Sequence, residues 1–317
     1  MQLLTTKTVR LCAAGLLLCL SASTTHAQTD LDGIMLKKNV LCVGGMFSNN
    51  SWTDYWEGTF KRDNENLGKV TTNMYAVMGA YGLTNKLNVM FSLPYVTTKA
   101  SAGTLTGLKG VQDLSLMLKW MPYSFKFGSN DKLTLYGVGR VSLPVTDYVA
   151  DYLPLSIGMG SKTAGVRVMA DYQRGVFFAT ASAGFTLRSN VEIDRDAYYT
   201  TEMHYTNQVD MPDQTGYNVR AGYRSKWLVA EGVFENMTTL GGFDIRKNDM
   251  PFPSNEMNMT QAGVNIKYTL QSIRGLELVG GGRYVIAGRN VGQSTTIYGG
   301  VFYLMNLKSP KTSRTNQ

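Results

Sequence analysis

Apolar and polar residues alternate one by one along this chain, in runs of about ten. Leu114, Leu116, Leu118 and Trp120 are interleaved with Ser115, Met117 and Lys119. Leu133, Leu135, Gly137, Gly139 and Val141 oppose Lys132, Thr134, Tyr136, Arg140 and Ser142. Ala164, Val166, Val168 and Ala170 oppose Thr163, Arg167 and Asp171. The same pattern runs through residues 177–188 and 261–268. A period of two sends successive side chains to opposite faces of a strand. Strands of soluble sandwiches alternate too, but average only about 5–6 residues. These runs reach the roughly 9–11 residues of a tilted membrane strand. No segment beyond the N-terminal leader has the roughly 18 continuous apolar residues of a membrane helix. In lipid, the structure that then satisfies its own backbone is a closed barrel.

The N-terminus points to export. Lys7 and Arg10 precede a short apolar stretch, Leu11 to Leu20, and Thr25-His26-Ala27 forms a small-x-small cleavage pattern before Gln28. Residues 1–27 therefore read as a cleavable signal peptide. Cys12 and Cys19 each follow a leucine, which does not fit a lipidation site, and Cys42 is then the single cysteine of the mature chain. It reads as a small apolar strand residue rather than half of an internal disulfide. The formal charge is +8, and Lys7 and Arg10 leave with the leader. The remaining basic residues form no Lys/Arg cluster beyond the Lys-containing tail, so export and their spacing together argue against nucleic acid. With 33 glycines and 18 tyrosines, the composition suits many strands joined by tight turns.

The pattern predicts an all-β fold: an antiparallel, up-and-down transmembrane barrel of about twelve strands. They fall at residues 39–47, 69–81, 86–97, 111–121, 131–143, 162–173, 176–189, 215–225, 227–237, 257–269, 275–287 and 294–306. Connections 48–68, 98–110, 144–161, 190–214 and 238–256 are long and polar. Residues 82–85, 174–175, 225–226 and 270–274 are short, while 122–130 and 288–293 are intermediate. Outer-membrane barrels pair short periplasmic turns with long external loops, and an even strand count leaves both termini in the periplasm. Tyr81, Trp120, Tyr172, Tyr223, Trp227, Tyr268 and Tyr303 fall next to the short turns or the periplasmic terminus, where an interfacial girdle belongs. Residues 28–307 form one barrel domain in this reading, followed by a polar periplasmic tail at 308–317.

Two stretches resemble each other. Asn85-Lys86-Leu87-Asn88-Val89 leads to Ser92-Leu93-Pro94-Tyr95-Val96-Thr97, and Asp131-Lys132-Leu133-Thr134-Leu135 leads to Ser142-Leu143-Pro144-Val145-Thr146. Each is a polar turn, a strand and a proline that lacks the N–H to extend pairing. Tyr81-Gly82-Leu83-Thr84-Asn85-Lys86-Leu87, Leu93-Pro94-Tyr95-Val96, Gly107, Gly110, Asp113-Leu114 and Leu118-Lys119-Trp120 also resemble the outer-membrane family named for the MetA pathway of phenol degradation, which is similar to FadL-type channels. The resemblance covers residues 75–145. It implies uptake of small, apolar or aromatic compounds. A departure is the polar tail after Leu307, where many outer-membrane barrels end on an aromatic residue.

If the apolar sets face lipid, the interior receives Lys119, Arg140, Arg167, Asp171, Arg188, Arg220, Arg224, Glu231, Lys267, Glu277 and Arg283. Charges are costly on the lipid face and acceptable in a lumen. Two arrangements satisfy this: a basic-biased pore, or a packed interior in which the cations pair with Asp171, Glu231 and Glu277. Catalysis would rest on His204, the single histidine of the mature chain, paired with a serine. A lone loop histidine is more often inert, so no enzyme is expected. Asp194, Asp196 and Glu202 lack ligand spacing, and no cofactor is expected. The expected partners are outer-membrane lipid, the barrel-assembly machinery and a small solute. The functional reading is a small-molecule channel, with a non-conducting accessory barrel of a secretion or attachment system as the alternative.

Overall fold

The computed structural model describes residues 26–247 and 249–307. Residues 1–25 of the expected signal peptide and the expected tail from Lys308 lie outside the described residues. Among the described residues, twelve long strands make the barrel: β1 Val40–Trp52, β2 Val70–Gly82, β3 Leu87–Ala100, β4 Asp113–Phe127, β5 Asp131–Pro144, β6 Thr163–Arg174, β7 Phe177–Arg188, β8 Gln214–Arg224, β9 Leu228–Thr239, β10 Asn258–Thr269, β11 Leu276–Arg289 and β12 Thr295–Asn306. Each pairs antiparallel with its chain neighbour, and β1 pairs with β12 from Val40↔Asn306 to Ser51↔Thr295. That last ladder closes the ring and removes both sheet edges.

The exterior is the apolar set. Leu116, Leu118, Val141, Val166, Val168, Val219, Val264, Ile266, Ile297 and Val301 are all exposed. In water such a continuous apolar surface would be an aggregation site; a bilayer is the solvent it fits. The alternate positions point inward and are mostly polar: Ser115 and Lys119 on β4, Thr134 and Ser142 on β5, Thr180 and Ser182 on β7. The fold is a transmembrane β-barrel of the outer-membrane type.

The fourth strand differs from the sequence reading. It runs to Phe127, so residues 122–127, read as part of an intermediate connection, are strand and the turn is only 128–130. The cause is Pro122. It lacks an N–H, and the β4–β5 register shifts between Trp120 and Tyr123. The shift inverts the outward parity from even to odd. Tyr123, Phe125 and Phe127 thus face out beyond Trp120, with ring centroids 6.0 and 6.5 Å apart. They extend the row of exposed aromatics at the short-turn end, which includes Trp120, Tyr172, Tyr223, Tyr268 and Tyr303.

At the other end the long loops carry their own structure. Short two-stranded ladders form at Asp54–Glu57 with Phe60–Asp63, and at Tyr198–Tyr199 with Met203–His204. Ala150, Val191, Ile193, Tyr198, Val209 and Met211 make a small apolar core among the loops. Asn290, buried and at a φ of 53°, ties three connections together. It accepts from Gly58 and Ile245 N–H groups and donates to Asp244 and the Glu256 carbonyl.

The two faces of one strand give a direct test. Val168 on β6 is 68% exposed on the outside, while its neighbour Arg167 points inward. Val168→Arg should destabilise the barrel in lipid by about 2–4 kcal/mol. Arg167→Val, on the polar side, should cost much less. Denaturant unfolding in vesicles measures both; equal costs would contradict the inside–outside assignment.

Candidate functional site

The eleven charged residues expected inside occupy three levels. Asp171, Arg224, Lys267 and Glu277 lie at the short-turn end of their strands, and Lys119, midway along β4, reaches the same level opposite Asn88. Arg140, Arg167, Arg220, Glu231 and Arg283 lie in mid-barrel, and Arg188 closes β7 at the loop end. Each sits on the face opposite its strand's exposed apolar set.

The short-turn level is filled by the N-terminal segment ahead of β1. Residues 26–38 enter the barrel as irregular chain before turning at Asn39, φ 64°, into β1. Asp32 is its centre. Lys267 Nζ donates to Asp32 Oδ2 at 2.6 Å, and Lys119 Nζ donates to Oδ1 at 3.2 Å. These lysines stand on β10 and β4, on different parts of the wall. Lys119 also donates to the carbonyls of Thr29, Asp32 and Ile34 at 2.9, 2.5 and 3.0 Å, and Lys267 to that of Ala27 at 2.7 Å. The plug folds its own backbone around the same carboxylate, with the Thr29 and Ile34 N–H groups donating to Asp32 at 2.9 and 3.2 Å.

A second anchor is Glu277. Its carboxylate accepts from the Ala27 N–H at 2.7 Å and from Thr269 Oγ1 at 3.0 Å, and meets His26 Nδ1 at 2.6 Å. Among the described residues no strand lysine or arginine pairs with it, unlike Asp171 and Glu231. The cut expected before Gln28 runs through this contact. Tyr136 Oη donates to the Gly33 carbonyl at 2.9 Å, and the Gln28 and Asn88 carboxamides meet at 2.5 Å.

Close approach makes two glycines necessary. A Cβ on Gly33 would lie 2.1 Å from Asp171 Oδ1, and one on Gly82 would lie 2.1 Å from the Lys37 carbonyl oxygen. Ala27 and Leu36 pack on Val40, Cys42, Met90, Met117 and Leu304. The space left there is about 20 Å³ in volume, room for about one water.

Beside and above the plug the charges are only partly matched. Arg220 pairs with Glu231 at 2.7 Å, Arg224 with Asp171 at 3.0 Å and Arg283 with Glu235 at 3.1 Å. Arg140 and Arg167 donate to the hydroxyls of Ser115 and Ser182 at 3.2 and 3.1 Å. Among the described residues neither has a carboxylate partner. Arg188 donates to the Pro212 carbonyl. A cavity of about 430 Å³ opens over Thr29, Asp30 and Leu31.

His204 sits in a loop hairpin with Nε2 2.8 Å from Thr200 Oγ1 and its ring stacked on Tyr198 at 4.8 Å. Among the described residues no three metal-binding side chains gather in one cluster.

Asp32, Asp30 and Glu235 were not among the residues expected inside. Glu235 was legible, since it shares the inward parity of Glu231. Asp32 was not: it lies in an aperiodic stretch, with partners 87 and 235 residues away.

No family model matches the chain, and no curated protein matches it. Among solved structures, an outer membrane channel of Pseudomonas putida F1 matches with a TM-score of 0.70 at 14% identity, covering 88% of this chain and 99% of that one. At that identity the likeness establishes the fold. The transport unit of the autotransporter AIDA-I from Escherichia coli and a Pseudomonas aeruginosa FadL homologue follow at 0.46 and 0.36, with 11% and 8% identity. The first covers 89% of this chain and 93% of its own, the second 86% and 91%. The class defined by closed ladder, apolar exterior and polar lumen is the outer-membrane β-barrel.

Burial alone would raise the pKa of Asp32, but the Lys267 and Lys119 ammoniums outweigh it and hold the carboxyl well below the usual carboxylate range. A depressed acid contributes stability that is present above its unfolded pKa of about 3.9 and is lost as pH falls through the lower folded value. The plug should therefore stay locked across pH 5–8. Asp32→Asn leaves two buried ammoniums without their counter-charge, a loss of about 3–5 kcal/mol. Cys42, buried behind the plug, reports the release. Maleimide should label it at least about ten times faster in Asp32→Asn than in the wild type. Equal rates would mean that this lock does not hold the segment.

Proposed function

We propose that the protein is an outer-membrane channel for small molecules, closed at its short-turn end by residues 28–38 and opened by release of that segment. One observation carries this reading. Residues 28–38 form no strand ladder with the barrel and are held by side-chain hydrogen bonds and ion pairs. Such a segment can leave without breaking the sheet. The cavity of about 430 Å³ that opens over the segment, lined by Arg220 and Arg283, supports a path that continues past it.

The likeness to a solved outer membrane channel supports the same reading. The resemblance over residues 75–145 to the MetA-pathway phenol-degradation family and to FadL-type channels adds small apolar or aromatic solutes as the class carried. The second reading, a non-conducting accessory barrel, is favoured by how completely the lock is buried: Lys119 and Glu277 are both 0% exposed.

Planar-bilayer recording separates the two. The wild type should be mostly shut with brief openings, and Asp32→Asn or deletion of residues 29–35 should raise the open fraction at least about tenfold, the factor that each 1.4 kcal/mol lost from the closed state gives. If neither variant opens, and a mild-detergent pull-down recovers a stoichiometric partner, the accessory reading replaces this one.

A further inference from the structure

We infer that the mid-lumen cavity is a binding site for a small amphipathic carboxylate, its apolar body lying on methionines and its carboxylate on Arg283. This rests on the channel reading and names the solute class that the same lumen selects.

The geometry follows from register. Met46 on β1 stands opposite Ala76 on β2, so Met74 and Met78, two residues to either side of Ala76, flank it on the same inward face. The three thioethers form one continuous patch in the cavity wall. Long, unbranched and polarisable side chains of this kind fit aromatic rings and aliphatic chains of varied outline. On the wall beyond β1, Asn50 faces Thr296 of β12, and Thr296 faces Arg283 of β11. Arg283 spends one nitrogen on Glu235 and lies 5.7 Å from the Tyr298 ring centroid. Among the described residues its guanidinium has no other acceptor, and it lines the cavity beside the Thr296 hydroxyl.

An apolar surface and an under-used cation two strands apart in one chamber match a molecule with the same division. A neutral hydrocarbon would leave the guanidinium without an acceptor. A small inorganic anion would leave the thioethers uncovered. A guanidinium is also the group best shaped to take a carboxylate edge-on. Two carboxylates could repel such a ligand: Asp30, on the cavity floor, stands in the field of Lys119 and Arg167, and Glu235 is already engaged by Arg283. At about 430 Å³ the chamber is of the size that holds small organic ligands.

Calorimetry on the full chain in non-ionic detergent tests this with benzoate, its neutral isostere benzamide, and acetate. Benzoate should bind at least about tenfold more tightly than either, the factor expected for one charge-assisted hydrogen bond or for the buried ring. Arg283→Gln should remove that preference over benzamide, and Arg283→Lys should keep part of it. Met74→Gln, which leaves the ion pairs intact, should weaken benzoate and leave acetate unchanged. Equal binding of benzoate and benzamide, or benzoate affinity untouched by both Arg283→Gln and Met74→Gln, overturns the inference. Equilibrium binding needs no open pore. A barrel that conducts but shows no benzoate preference sinks this inference alone, whereas one that binds benzoate yet stays shut in every bilayer variant sinks the channel reading alone.

Discussion

The ladder between β1 and β12 is the contact on which everything else rests. Twelve paired residues from Val40↔Asn306 to Ser51↔Thr295 join the first strand to the last. Without them, two strands would present unsatisfied N–H and C=O groups to hydrocarbon, at several kcal/mol per group. Closure then imposes a second condition. Once the sheet is a ring, each strand has one face in lipid and one in the lumen, and a period of two decides residue by residue which is which. Leu118 and Lys119 are neighbours in sequence, yet one faces hydrocarbon and the other reaches Asp32.

A polar lumen in turn dictates what can close it. An apolar segment would have to desolvate the inward-facing lysines, arginines and carboxylates without compensating them. The chain instead supplies a carboxylate that two lysines share, and turns plug carbonyls toward the same ammoniums. Apolar contact is confined to the sector where the inward residues are themselves apolar, around Cys42, Met90 and Met117. The plug is thus complementary to the wall sector by sector, and Gly33 and Gly82 mark two places of close approach.

Much of this was legible from the chain because alternation is a local signal. Strand positions, the short turns and the inward charged set follow from neighbours one and two residues apart. Legibility failed where local pattern stops carrying information. At Pro122 a missing N–H shifts the register, and the outward parity passes from Trp120 to Tyr123, so a strand end looked like a loop. Residues 26–38 have no period at all. Nothing within ten residues of Asp32 distinguishes it from Asp30, and only the closed barrel brings Lys119 and Lys267 to it. Glu277 was visible as an inward carboxylate, but its partners at residues 26 and 27 fall in what the sequence marks as leader.

The chemistry of the lock bears on how firmly it holds. Ion pairs buried this deeply lose hydration on both sides, and the Coulombic gain roughly offsets that loss. Their net contribution is therefore modest even though removing one partner is severe. An apolar plug behaves in the opposite way: its hold grows with area, and truncating one residue loosens it only a little. The Asp32 arrangement defines one seated position sharply while keeping the free energy of seating small. With no ladder binding residues 28–38 to the wall, the sheet adds no further barrier to their departure. A segment meant only to fill the barrel would gain by pairing with it. This one is placed by charge, and in the proposed channel its release leaves intact the ring that contains it.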